Sequence, residues 1–331
     1  MTGRRWPLLG VALAIVVAAA VLALAVRPTV SSAAPAVAGP LAPPRQPALS
    51  VPKPSTTGGT SCGDLTASRR PPAVLPGPAS PPAGGILRTI LDRGYLRVAV
   101  RPDTPPFASV DPDTGAFTGF EIDLAKAIGR ALFGADGHVR FRAVAAAERV
   151  SVVQDGDVDL SAATITVTCD RRAKVDFSAV YFQASKNVLV ESSAYQSLAD
   201  LGGRKVCAAT GTTSLQRIVD TPTHPIPYPV ANVSDCLVAL QQGVVDGIVN
   251  DDTVLAGMAA QDPQTRIAGP KTLDVPTAIA VSQDSPELTS FVNGVLERLA
   301  ADGTWARLYD ANGLARALGP APGPPAPRYR D

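Results

Sequence analysis

Histidine is nearly missing from this chain: among 331 residues there are only His138 and His224, and neither lies at metal or catalytic-triad spacing from another candidate ligand. Catalysis built on imidazole and a His-rich metal site are therefore excluded as leading readings, and no metal or cofactor is expected. Net charge is also nearly missing, at +1, so no global charge points to nucleic acid or an anionic membrane surface as a partner. Lysine is scarce: only six of the 30 basic residues are Lys and 24 are Arg. In a sequence so rich in Ala, Gly and Pro, an Arg excess is a coding bias first, and each Arg must be justified by its position.

Charge is absent altogether from one run, residues 8–26, which follows Arg4 and Arg5. Nineteen apolar residues are more than a usual export signal needs and enough to span a bilayer, so this segment reads as a signal or an N-terminal membrane anchor. The small-residue site at Ala36, Val37 and Ala38 suits cleavage, and no cysteine nearby offers a lipid attachment point. Basic residues ahead of the run place the body outside the cytoplasm. The four cysteines, Cys62, Cys169, Cys207 and Cys236, then lie in a non-reducing compartment, are even in number and form no C-x-x-C. Two disulfides are the default, with three pairings open; the preferred one joins Cys207 to Cys236 and Cys62 to Cys169.

Residues 28–84 are dense in Pro, Ala, Ser and Gly, and predict a loose tether held down only around Cys62 to Arg70. From residue 85 the pattern changes. Phe120, Leu124, Ile128 and Leu132 line one face of a predicted helix, and strands are predicted over 95–100, 139–144 and 158–163. After a connector the alternation restarts, with strands over 187–190, 205–209 and 247–250 among helices, and helices close the chain to residue 311. Such alternation predicts α/β architecture with mostly parallel sheets flanked by helices. The expected division is lobe 1 over 85–185 and 280–316, lobe 2 over 186–279, and a flexible tail over 317–331. Two crossing strands near 184–190 and 275–281 would join the lobes around one crevice, where open α/β sheets bind ligands.

The stretch 164–178 stands out within this frame. Three threonines alternate at 164, 166 and 168, then Asp170, Arg171 and Arg172 precede apolar Val175 and Phe177. Hydroxyls on one pleat face followed by a guanidinium suit a ligand carboxylate, because arginine offers a planar fork of donors. The alternative is a solvated charged loop after a strand.

Seven motifs in order carry a family resemblance: Gly119-Phe-Glu-Ile-Asp123-Leu-Ala, Val158-Asp-Leu160, Thr166-Val-Thr168 with Arg171, Val175-Asp-Phe-Ser178, Gly211-Thr-Thr213, Gly243-Val-Val-Asp246 and Ala301-Asp-Gly-Thr304. Between about Tyr95 and Tyr309 the chain resembles the bacterial extracellular solute-binding proteins of family 3, the polar amino-acid class, and most of all their glutamine/glutamate-binding, GlnH-type branch. The resemblance implies a two-lobed clamshell that closes on one free amino acid, works as a monomer without catalysis, and serves an ABC permease or a membrane sensor.

By the family pattern, Arg171 takes the ligand's α-carboxylate beside Thr166, and Thr164 lies near the ammonium group. From the second lobe, Asp251 pairs with the ammonium, while Thr212 and Thr213 offer donors to the carboxylate. Arg101 and Arg149 stand where members that bind glutamate or aspartate carry arginines, so an acidic ligand is expected, with the amides glutamine and asparagine next. Ala209 and Ala146 replace polar residues of the family, and the aromatic that often covers the ligand near residue 104 is missing, leaving Phe107 as the nearest ring. The competing reading is an enzyme on the same fold, a prephenate- or arogenate-type dehydratase. It would need a general acid in the cleft, and Glu121, expected at the surface or boundary of its helix, is the nearest carboxylic candidate.

Overall fold

Short βα repeats bury their apolar faces only by stacking into sheets with helices outside, and two such sheets organise the chain. The computed structural model describes residues 49–53 and 62–330, within one unit over 48–331. The expected signal or anchor, residues 8–26, lies outside the described residues. In the first lobe the strand order is Val139–Ala143, Leu96–Val100, Leu160–Ser161, Ala280–Val281, Asp176–Phe177. In the second it is Ile226–Val230, Lys205–Ala209, Gly247–Asp251, Lys186–Val190, Arg266–Ala268. Both sheets are mixed: Leu96–Val100 and Lys205–Ala209 pair in parallel with both neighbours, whereas Ala280–Val281 and Lys186–Val190 pair antiparallel with theirs. The lobes are joined by an antiparallel pair, Phe182–Ala184 against Val275–Thr277.

The helix Phe120–Phe133 shows how sequence fixes this packing. Phe120, Leu124, Ile128 and Leu132 recur every fourth residue and are all buried, and Gly134 ends the helix in a left-handed turn at φ 77°, its N–H donating to Arg130 O. Gly119 at its start, with φ 124°, lies so close to Phe107 that a side chain would overlap the Phe107 carbonyl. Phe120 packs edge-on against Phe107, Phe182 and Trp305 at centroid distances of 5.5, 6.3 and 5.6 Å. Each such ring contributes about 2–3 kcal/mol by leaving water. This aromatic cluster lies beside the joining strands, so the hinge rests on the first lobe's core.

Two expectations about the chain ends are corrected. The tether does not stay loose from 71 to 84: beyond the Ala67–Arg69 strand, which lies in the stretch expected to be held down, Leu75 packs on the core and Pro78 touches Gly134. Nor is the tail free from 317. Leu314–Leu318 is helical, and Arg328–Arg330 pairs in parallel with Ala67–Arg69. Buried Asp176 accepts from both Arg69 and Arg330, the latter at 2.7 Å, while Arg328 pairs with Asp64 at 2.8 Å. Fully buried Asn293 donates to Ser68 Oγ at 2.8 Å and Arg69 O at 2.6 Å, and accepts from Ala179 N at 2.7 Å. A three-residue strand has no periodicity of its own, and this pairing joins opposite ends of the sequence, so composition alone reads the 317–331 segment as a loose tail.

Arg172 also departs from a solvated charge. Its guanidinium donates to the carbonyls of Asp64, Leu65 and Ala67 at 3.0, 2.6 and 2.8 Å, next to the Cys62–Cys169 disulfide. The second disulfide joins Cys207 to Cys236, so the preferred pairing is the one formed. Cys207–Cys236 pins the interior Lys205–Ala209 strand to the Ser234–Gln241 helix across 29 residues. Replacing both cysteines by alanine is expected to cost about 3 kcal/mol of stability through loop entropy. Urea denaturation of the variant checks this, with ligand affinity expected to hold.

Candidate functional site

The Leu160–Ser161 strand ends at the face where the two lobes meet, and the chain then turns through Thr164 at φ 49°. A β-branched residue in this left-handed region costs about 1–3 kcal/mol unless its surroundings hold it. Two groups do so. Thr164 N donates to Glu121 Oε1 at 2.6 Å, and Thr164 O accepts from Arg149 Nη1 at 2.9 Å. Arg149 Nη1 also donates to Ala163 O at 3.1 Å. Glu121, expected at a boundary, is instead wholly buried: the helix start turns it inward, where the Tyr181 hydroxyl donates to the same Oε1. Burial pushes its carboxyl up to about 7, against the hydrogen bonds from Tyr181 and Thr164 and the guanidiniums of Arg101 and Arg149.

Arg171 lies on the one-turn helix Cys169–Arg172, capped by Thr168, whose Oγ1 accepts from Arg171 N at 3.3 Å. Its Nη1 donates to Thr166 O at 2.7 Å and its Nη2 reaches Gly211 O in the second lobe at 3.1 Å. Thr166 Oγ1 faces Thr213 Oγ1 across the same gap at 3.4 Å. Arg101, buried at the end of its strand, forms a forked pair with Asp103 at 3.1 and 2.8 Å. Asp103 Oδ2 also accepts Val233 N at 2.7 Å, so this pair reaches the second lobe. There, Asp251 ends the Gly247–Asp251 strand and is paired with buried Lys186, which also donates to Ser214 Oγ at 3.1 Å.

The lobes touch. A Cβ on Gly211, φ 70°, would come within 2.7 Å of Ala147 Cα, and one on Gly257 would overlap the Pro105 carbonyl oxygen. Ala146 and Ala209, which stand where the family carries polar groups, are buried in one apolar cluster with Cys207 and Leu240. The jaws therefore meet along a seam of small residues.

Among the residues expected here, Arg101, Arg149, Thr164, Thr166, Arg171, Thr213 and Asp251 converge at this face, while two others are engaged elsewhere. Phe107 does not serve as a cover: it is 1% exposed, and its ring packs on Phe120 and Phe182 in the core. The Thr212 hydroxyl is used locally, accepting from Leu215 N at 3.1 Å and donating to Ala209 O at 2.6 Å as a helix cap. Sequence reasoning missed Lys186 and Asp103. A lysine in an apolar strand of a lysine-poor chain is a signal for the first; Asp103, two residues after Arg101, needs the fold.

Four cations, Arg101, Arg149, Arg171 and Lys186, thus face Asp103, Asp251 and the weakly acidic Glu121. Burial and the neighbouring Arg171 and Arg101 hold the Arg149 guanidinium well below its ordinary range. Burial also lowers Arg171 to about 10, with Asp251 opposing, and lowers Lys186 despite its pairing with Asp251. Arg149 Nε, Thr164 Oγ1 and Glu121 Oε2 are buried without a partner. Buried donors and like charges gathered in this way are destabilising unless an anion with acceptor oxygens joins them.

Residues 96–313 match the family model for bacterial extracellular solute-binding proteins, family 3. The chain belongs to that family. Its relatives include the ABC transporter glutamine-binding protein GlnH of Bacillus subtilis strain 168, 33% identical over 225 residues, covering 67% of this chain and 82% of that one. The glutamate-binding protein GluB of Corynebacterium efficiens is 28% identical, covering 69% and 82%. An ancestral arginine-binding protein bound to glutamine superposes with a TM-score of 0.63 at 33% identity, covering 69% of this chain and 99% of that one. This family-3 protein therefore falls in the GlnH-type branch, and its two lobes are those of the family's clamshell.

Proposed function

We propose that this family-3 protein binds a free acidic amino acid, glutamate or aspartate, outside the cytoplasm and presents it to the permease of an ABC importer or to a membrane sensor. The observation that carries the reading is the cation excess at the closed face: Arg101, Arg149, Arg171 and Lys186 against Asp103 and Asp251, with Glu121 near its midpoint at neutral pH. A zwitterion alone leaves that balance unchanged; a second ligand carboxylate offsets it. Arg171 with Thr166 and Thr213 suits the α-carboxylate, Asp251 the ammonium, and the Arg101–Arg149 side the distal carboxylate. Closure follows because the ligand bonds to both lobes at once.

Calorimetric titration of the protein with glutamate, aspartate, glutamine, asparagine and arginine tests this. The acids are expected to bind at least about tenfold tighter than the amides, a gap of about 1.4 kcal/mol, and arginine not at all. Tighter amide binding would reassign the side-chain subsite, and no binding to any amino acid would sink the proposal. One observation favours a second reading: Glu121 is a buried carboxyl close to half-protonated at neutral pH, the state a general acid needs. Its Oε1 is occupied by Thr164 N and Tyr181 Oη, which suits holding a backbone more than donating protons to a substrate. Turnover of prephenate would establish the enzyme instead.

A further inference from the structure

Glu121 and Arg149 grip one residue from its two ends. The carboxylate takes the Thr164 N–H and the guanidinium takes the Thr164 carbonyl, in a conformation threonine does not adopt unaided. Glu121 is thus an internal anion on the side of the cleft where a ligand's distal carboxylate would meet Arg101 and Arg149. Two anions cannot share that desolvated place at low cost. We propose that Glu121 makes binding of an acidic ligand proton-linked, taking up one solvent proton as the ligand carboxylate arrives, and that an uncharged amide ligand binds without this uptake.

This inference rests on the acidic-ligand reading above and adds its regulation. The charged and hydrogen-bonding side chains that reach Glu121 come from three elements: the guanidiniums of Arg101, at the end of its strand, and Arg149, in the turn before Ser151–Gln154, and the neutral Tyr181 hydroxyl from the joining segment. Behind them, Asp103 pairs with Arg101, and Asp251, itself held by Lys186, acts on Arg149, Arg171 and Tyr181. The unpartnered Glu121 Oε2 is the atom on which a proton can be placed without breaking the bonds to Oε1. With the empty-site carboxyl near 7, the site changes charge within the range where a protein outside the cytoplasm meets varying pH.

The sign follows from linkage. Proton uptake on binding means that affinity is full below the empty-site midpoint and lost as pH rises above it. Glutamate is expected to bind about tenfold more weakly at pH 8 than at pH 6, with about half a proton taken up per ligand at pH 7 and nearly one at pH 8. Glutamine, which shares the zwitterion and lacks the distal charge, should change less than about twofold.

Calorimetry of the whole protein in phosphate and Tris, whose ionisation heats differ, reads the proton directly. A buffer-dependent heat for glutamate, absent for glutamine and lost in Glu121→Gln, supports the proposal. Tyr181→Phe keeps the carboxylate but removes a donor to its charged form, so the pH break should move upward; this variant serves if Glu121→Gln fails to fold. Glutamate binding with no proton uptake overturns the linkage and leaves the ligand assignment standing. Uptake that persists in Glu121→Gln overturns it by placing the proton elsewhere. Absence of binding by both amino acids removes the acidic-ligand reading itself, and this inference with it.

Discussion

Arg171→Ala is expected to weaken amino-acid binding by roughly 100- to 1000-fold, corresponding to about 3–4 kcal/mol, because a desolvated charge pair loses its cation. The guanidinium does two things at once. It offers a fork of donors beside Thr166 and Thr213, and it joins the jaws by donating to Thr166 O on one side and Gly211 O on the other. Arg171→Lys separates these contributions: it keeps the charge but cannot make both bonds, so it should fall between the wild type and alanine. Calorimetry measures both variants. Melting temperatures should shift little, since the Arg171 guanidinium bonds to the carbonyls of Thr166 and Gly211 and belongs to none of the hydrophobic core clusters. Unchanged affinity in Arg171→Ala would remove the carboxylate role assigned to it.

Gly257→Val should lower affinity by a similar factor through a different route. Gly257 lies in the Asp252–Gln261 helix of the second lobe, and any side chain there would overlap the carbonyl oxygen of Pro105 in the first. The obstacle is backbone, which cannot rotate away as a side chain would. Relief therefore requires the lobes to part. At about 3 kcal/mol, the upper end of overpacking costs, the closed form becomes roughly 100-fold rarer and apparent affinity falls in proportion. The open form keeps its helix, since valine is no worse than glycine in a helix interior. The expected pattern is thus weak binding with an unchanged or raised melting temperature, and small-angle scattering that shows no compaction on adding ligand. Wild-type affinity would mean that the seam at Pro105 is not needed for binding.

What the sequence discloses depends on the range of each interaction. The Phe120–Phe133 helix is legible because its buried residues recur every fourth position and a glycine ends it. Arg171 is legible because its neighbours in the family motif are sequence neighbours too. Lys186, by contrast, looks like one charge in an apolar strand until pairing with the Gly247–Asp251 strand sets it opposite Asp251. Glu121 reads as a wet helical position because Phe120 and Leu124 already define an apolar face. Only packing against Tyr181 and Thr164 reveals that the first turn is enclosed on a second side. The strands 182–184 and 275–277 that join the lobes are too short to carry a period, and their register lies in the partner rather than in either segment.

The ribbon of Ala67–Arg69 with Arg328–Arg330 bears on the order in which the chain folds. The second lobe's sheet is drawn from one continuous stretch, residues 186–268, and can assemble while the rest is still emerging. The first lobe cannot be completed in this way. Its sheet needs Ala280–Val281, and its buried Asp176 waits for Arg69 from the front and Arg330 from the last residues described. Contacts so distant in sequence form slowly because their loop entropy is paid first. The lobe that carries Arg171 is therefore expected to mature last, so that a chain released early would present a finished second jaw with nothing to close against.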